Sequence, residues 1–446
     1  MEKEERGIIE RPSFWLTQVD ILPNPPLEGE ISVDFAILGG GFTGIATSYF
    51  LKKLEPSSSV AVLEQKYIGY GASGRNAGFC MTLFGLDLSL TVLRYGKENA
   101  LAGYKYTSYG IDLVKRLVEE HKIDCDFEYN GFIRVATSKL YERKLKKEFD
   151  LALKIGIQDA TWLDKSKLEE KVSSPVMLGG WYERHCALLN PAKLVLGMKK
   201  VVEGMGVKVY ENTPFYEVER RNDKKFVIKT PHGKVIADKI VFATNAFSIL
   251  VPQLKRKQVP VFTHIVITEP LKEEHFQRIN WSGREGLEDS RNLIHYFRLT
   301  KDNRLLMGGR DVTITFGSNL NKDMNYKVFE GLKEDIRKIF PPLSDLKVDY
   351  MWGGPVSVTL DLVPAIGYVG DKNAIYSLGC IGHGVSLTHV NGLTIAELLL
   401  EKDTERTNMF FVNRFVIPFP PEPLRFVVSH AIKAVLKIQD AIYDRI

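Results

Sequence analysis

The spacing of hydrophobic and polar positions changes along the chain, and each change predicts an element. Residues 33–38, "VDFAIL", form an apolar run with β-branched and aromatic side chains, which predicts a strand buried on both faces. After a glycine cluster, "IATSYFLKKL" repeats its apolar positions at helical spacing, Ile45 with Tyr49 and Ala46 with Phe50. "VAVLE", 60–64, predicts a second short buried strand ending in Glu64. Residues 35–51 carry no charge, but a membrane helix there would hold four glycines, each costing about 1 kcal/mol against alanine. No run reaches the roughly 20 apolar residues of a membrane span. Residues 213–244 alternate like successive antiparallel strands, with turns at Asn222-Asp223 and His232-Gly233. The segments "VPVFTHIVITEPL", "LIHYFRLTKDNRLLMGGRD" and "YMWGGPVSVTLDLVP" predict a broad antiparallel sheet. Near the end, "NAIYSLG" reads as a strand, Gly379, Gly382 and Gly384 surround His383, and Leu387, Val390, Leu393 and Leu398 have helical spacing. A proline-rich linker then leads to a helix with Val428, Ala431, Ile432, Val435 and Ile442 on one face and Arg425, Lys433 and Lys437 elsewhere. That helix is expected to pack on the protein's own body or on a twin subunit rather than on a membrane surface.

The first strand, glycine cluster, helix and second strand together predict a dinucleotide site. Gly39, Gly41 and Gly44 satisfy G-x-G-x-x-G. Gly39 makes the tight turn, Gly41 lets a pyrophosphate approach the backbone, and Gly44 lets the helix pack close to the sheet. Phe42 and Thr43 open the helix, whose free N–H groups and positive dipole end suit phosphates. Glu64 can accept hydrogen bonds from ribose hydroxyls and would repel the extra phosphate of NADP. Next comes "QKYIGYGASGRNAGF", 65–79, beginning at Gln65. Its Ser73, Gly74, Asn76 and Gly78 are small or donor-bearing, and Arg75 adds a cation. Such a loop can bring backbone close to a flat ring system. The small residues 243–246, with Thr244 and Asn245, allow another close approach.

Composition narrows the field. A chain of 446 residues exceeds one ordinary core and predicts two domains or an interleaved pair. Its net charge of +5 says little about partners, and no basic run with interleaved aromatics points to nucleic acid. The four cysteines, Cys80, Cys125, Cys186 and Cys380, have no zinc or CxxC spacing. They predict buried thiols in a reducing cytoplasm and no metal. The N-terminus lacks the apolar stretch of a secretory signal.

The segments "DFAILGGGFTGIATSYFL", "VLEQKYIGYGASGRNAGF" and "VPAIGYVGDKNAIYSLGCIGHGVSLTHVNGLTIAELL" resemble the FAD-dependent amine and amino-acid oxidoreductases of the D-amino-acid oxidase superfamily. "GASGRNAG" and the preceding "RPSFWL" most resemble its gamma-glutamylputrescine oxidase branch. The resemblance implies an α/β Rossmann-like FAD domain of the glutathione-reductase type, interleaved with an α+β substrate domain on a mainly antiparallel sheet. The expected FAD domain collects residues 30–105, 186–250 and 356–402, and the substrate domain 106–185 and 251–355. Residues 403–446 form the linker and tail helix. The resemblance also implies that backbone near Val218 contacts adenine. It further implies that Gly382, His383, Gly384 and Val385 lie at the flavin's pyrimidine end, with His383 either at the flavin edge or a polar turn residue.

Two departures narrow the reading. Where monomeric sarcosine oxidases bond flavin through cysteine, this chain has Gly354, so non-covalent FAD is expected. Where they grip the substrate carboxylate with lysine, it has Ser386, so a larger amine or amino acid is expected. The implied reaction moves hydride from the carbon next to nitrogen to flavin N5, giving an imine that water hydrolyses. Oxygen or another acceptor then takes the electrons. Asn76, His264, Tyr296 and His383 are the catalytic candidates, and Arg298 or Arg310 could hold a substrate carboxylate. A flavin monooxygenase and a non-catalytic electron-transfer subunit are the alternatives. Association into a homo-oligomer is left open.

Overall fold

The computed structural model describes residues 10–444. Phe35, Ala36, Ile37 and Leu38, the uninterrupted apolar part of the run, are buried inside an eight-stranded sheet, as their lack of polar positions requires. Strand Gly29–Leu38 pairs in parallel with Val60–Leu63 on one side and Gly233–Phe242 on the other. Lys208–Tyr210 and Asp371–Leu378 extend these parallel pairings outward. Ala365–Val369 adds an antiparallel edge, and Phe226–Lys229 with Glu217–Arg220 forms the antiparallel extension that the alternation predicts.

Helices Phe42–Leu54 and Gly384–Leu399 follow the two glycine turns and pack against each other. At their contact a Cβ on Gly392 would stand 2.5 Å from the Ala46 Cβ, so only glycine allows this approach. A long helix, Leu88–Glu120, bends at Gly96, where φ is 83°, and packs on Gly384–Leu399. The Tyr106 hydroxyl bonds there to Asn391 at 2.9 Å and Thr394 at 2.7 Å. This helix runs unbroken past residue 105, where the first FAD segment was expected to end.

The second sheet has nine strands. Val259–Pro270 is flanked by Val348–Val358 and Arg304–Gly309, and His295–Leu299 and Gly286–Asp289 follow. Gly286–Asp289 lies beside Phe132–Ala136 in a parallel pairing, while the other pairings are antiparallel. Helix Tyr326–Ile339 covers one face through Val328, Phe329, Leu332 and Ile336. Phe14, Trp15 and Leu16 pack with Ile265, Ile267, Leu306 and Trp352 in a separate cluster.

The tail helix, Leu424–Tyr443, packs on the body with its polar side inward. The Asp440 carboxylate accepts from the Tyr141 hydroxyl at 2.8 Å and from the Asn292 and Leu293 N–H groups at 2.9 Å each. Lys433 reaches Asp311 at 2.9 Å. Val427, Ile432, Val435, Ile438 and Ile442 are exposed. Periodicity reveals that a helix has two faces; the buried hydrogen bonds decide which one turns inward. Among the described residues, no helix is long and apolar enough to cross a membrane.

Candidate active site

A cavity of ≈ 680 Å³ opens at the carboxyl ends of the parallel strands. Gly39, Gly41, Phe42, Thr43, Glu64 and Gln65 line it from the first strand–turn–helix unit. Ser73, Asn76, Val218, Thr244, Asn245, Gly382, Gly384 and Val385 complete the expected set found there. Gly39 has φ 112°, and a Cβ on it would meet the Ala243 carbonyl oxygen at 2.6 Å. Gly44 lies outside the cavity and serves packing: a Cβ there would stand 2.0 Å from the Gly39 carbonyl oxygen. Gly74 and Gly78 also lie outside it, in the tightly folded loop.

The helix end is built for an anionic group. Its N-cap, Gly41, makes no side-chain capping bond. The Phe42 N–H donates to Ser73 Oγ at 2.9 Å, tying the 65–79 loop to the glycine turn. Beside it, Glu64 accepts from the Gly40 N–H at 2.8 Å and the Lys66 N–H at 3.0 Å. Burial pushes its carboxyl up to about 6 despite these bonds. An open helix end, a side-chain-free approach and a carboxylate on the adjacent strand fit a dinucleotide. Cys380 also lines this cavity, and burial pushes its thiol above the usual range, disfavouring the reactive thiolate.

A second cavity of ≈ 470 Å³ meets the first at Ala72, Asn76, Val356 and Gly382. Arg75, Tyr296, Arg310, Gly354 and His383 line it. Asn76 occupies its amide in holding the loop. Nδ2 donates to the carbonyls of Ala72 at 3.0 Å and Ser73 at 3.1 Å, and Oδ1 accepts from the Gly78 N–H at 2.8 Å. Arg75 is paired with Asp323 at 2.6 Å and lies over the Tyr70 ring. Tyr296 lies against Gly308, where a Cβ would stand 2.3 Å from the ring, and burial raises its phenol above the usual range.

Three expectations need correction. His264 lines neither cavity; it is buried edge-on to Phe329 at 5.5 Å, with neither ring nitrogen hydrogen-bonded. Burial pushes it down to about 4. Arg298 is likewise outside both cavities, and its guanidinium donates to the carbonyls of Leu189 at 2.7 Å, Ala77 at 3.1 Å and Gly78 at 3.3 Å. It ties the cofactor loop to the second sheet and stands away from both cavities where a carboxylate could bind. Arg310 does reach the second cavity, but it is committed to Asp335.

Glu288, which sequence reasoning missed, is 5 % exposed and lines the second cavity. Its Oε2 stands 3.4 Å from His383 Nε2. Its one visible signal was its place in "REGLEDS", an acid between apolar and acidic neighbours, which also describes ordinary surface.

The FAD dependent oxidoreductase family model, DAO, matches residues 34–398. The gamma-glutamylputrescine oxidoreductase of Escherichia coli is 30% identical over 400 residues, covering 89% of this chain and 90% of that protein. A probable oxidoreductase, OrdL, of Haemophilus influenzae is 30% identical over 395 residues, covering 86% and 87%. In fold, the chain is similar to the crystal structure of glycine oxidase from Geobacillus kaustophilus, with a TM-score of 0.73 at 21% identity over 86% of this chain and 99% of the other.

Proposed function

The chain belongs to the DAO family of FAD-dependent oxidoreductases, and from that premise we propose that it oxidises an amine or amino acid at the carbon next to nitrogen. FAD, when bound, supplies the hydride acceptor. The observation that carries the reading is the meeting of the two cavities at Ala72, Asn76, Val356 and Gly382. Gly39–Gly44 and Glu64 would hold the dinucleotide, while Asn76 fixes the loop at the junction. Phe79, Met81, Leu86, Val261 and Val358 give the second cavity a largely apolar wall, which excludes water from the reacting carbon. The reacting nitrogen must be neutral, because its lone pair drives hydride departure, and an apolar wall favours that form. Water then hydrolyses the imine to a carbonyl compound and an amine.

The gamma-glutamylputrescine oxidoreductase of E. coli and the glycine oxidase of Bacillus subtilis carry names that support this substrate class. Anaerobic mixing of the yellow protein with a panel of amines and amino acids tests it. Bleaching of the flavin band by one of them, without pyridine nucleotide, is the expected result. Bleaching by NADPH alone would instead mark a monooxygenase and overturn the reading.

A further inference from the structure

The charged side chains of the second cavity are unevenly satisfied. Lys144 is paired with Asp87 at 2.8 Å, Lys433 with Asp311 at 2.9 Å, and Arg310 with Asp335. Asp289 holds His295 at 2.7 Å, and Glu148 accepts from the Ser89 N–H at 3.0 Å. Glu288 stands apart. Among the described residues, no lysine or arginine lies within 4 Å of its carboxylate or of that of Glu148, but Glu148 is met by a backbone N–H, whereas the one hydrogen-bond partner of Glu288 is His383 Nε2. Arg134 occupies the same register on the adjacent strand, yet its guanidinium lies over the Trp181 ring at 5.3 Å and makes no ion pair with Glu288. The other ring nitrogen of His383, Nδ1, is buried with no hydrogen-bond partner at all.

A buried carboxylate without a cation is costly, and an arriving cation that hydrogen-bonds to it offsets that cost. The place matters too. His383 immediately precedes the helix Gly384–Leu399 and follows Gly382, one of the residues shared by the two cavities. Glu288 is therefore braced beside the junction rather than at the far wall. We propose that Glu288, steadied by His383, receives the substrate's amino group as an ammonium, selects a cationic amine end, and takes one proton from it so that the nitrogen is neutral when hydride leaves. The assignment rests on the amine-oxidising reading above and deepens it. It places the charge preference of the cavity in one carboxylate, whereas the expected arginines are engaged elsewhere.

Two ligands of matching shape and opposite charge test this directly. tert-Butylammonium has no hydrogen on the carbon next to nitrogen and cannot be oxidised; pivalate replaces its ammonium with a carboxylate. Calorimetry on the FAD-loaded protein is expected to show binding of tert-butylammonium in preference to pivalate. Glu288→Gln, which keeps the side chain's shape, should weaken the cation at least tenfold while leaving FAD content unchanged and Tm no lower than that of the parent. Equal binding of the two ligands by the parent protein, or binding by the variant within twofold of the parent, would overturn the assignment. The two readings fail separately. A protein bleached by an amine with the same KM in Glu288→Gln keeps the function and loses the assignment. A protein that binds tert-butylammonium through Glu288 but is bleached by no amine does the reverse.

Discussion

A buried imidazole with neither nitrogen hydrogen-bonded is held neutral, because protonation would put an unpaired charge beside Phe329. His264 is such a group, and its value of about 4 lies below the ordinary 6.5. As pH falls from about 6.5 to 4, the unfolded chain takes up this proton and the folded chain does not, so stability is lost in that window. His264→Phe should therefore lessen the loss between pH 7 and 5 by about 1–2 kcal/mol, read from urea unfolding at both values. It should leave amine bleaching unchanged. Arg298→Met removes the donations to four buried carbonyls and should destabilise the protein by about 2–3 kcal/mol and weaken FAD retention. The KM for amine in the loaded fraction should stay as it was, since no part of Arg298 lines the second cavity. These side chains mark the limit of sequence reading at this scale. The glycines and Glu64 could be placed because a local motif positions them. Whether His264, Arg298 or Glu288 points into a cavity depends on pairings between distant strands.

Among elements, the decisive contact is that between the two helices that follow the glycine turns. Gly392 allows it, and its would-be Cβ also meets the Ala46 carbonyl carbon at 2.8 Å. Gly392→Ala should wedge these helices apart, costing about 1–3 kcal/mol in denaturant unfolding and lowering FAD occupancy. The strand–turn–helix units were legible because each is continuous in sequence and carries its own period change. The sheet order was not, since Gly286–Asp289 lies beside Phe132–Ala136, far away along the chain. Leu88–Glu120 was also missed, because the bend at Gly96 interrupts its pattern.

On the scale of the whole molecule, the tail helix closes the second cavity with Ser429, Ile432, Lys433 and Leu436. Removing residues 424–446 should open that cavity, so iodide should quench the flavin's fluorescence several-fold more strongly than in the full chain. Unchanged quenching would mean that the helix does not shield the site. All of these expectations depend on a single cofactor held between the two glycine turns, and the flavin content of the purified protein measures that most directly. Acid precipitation should leave colourless protein and release one FAD per chain into the supernatant, because Gly354 offers no side chain for a covalent bond and the Cys380 thiol is held neutral. A colourless purified protein that takes up no added FAD would contradict the account.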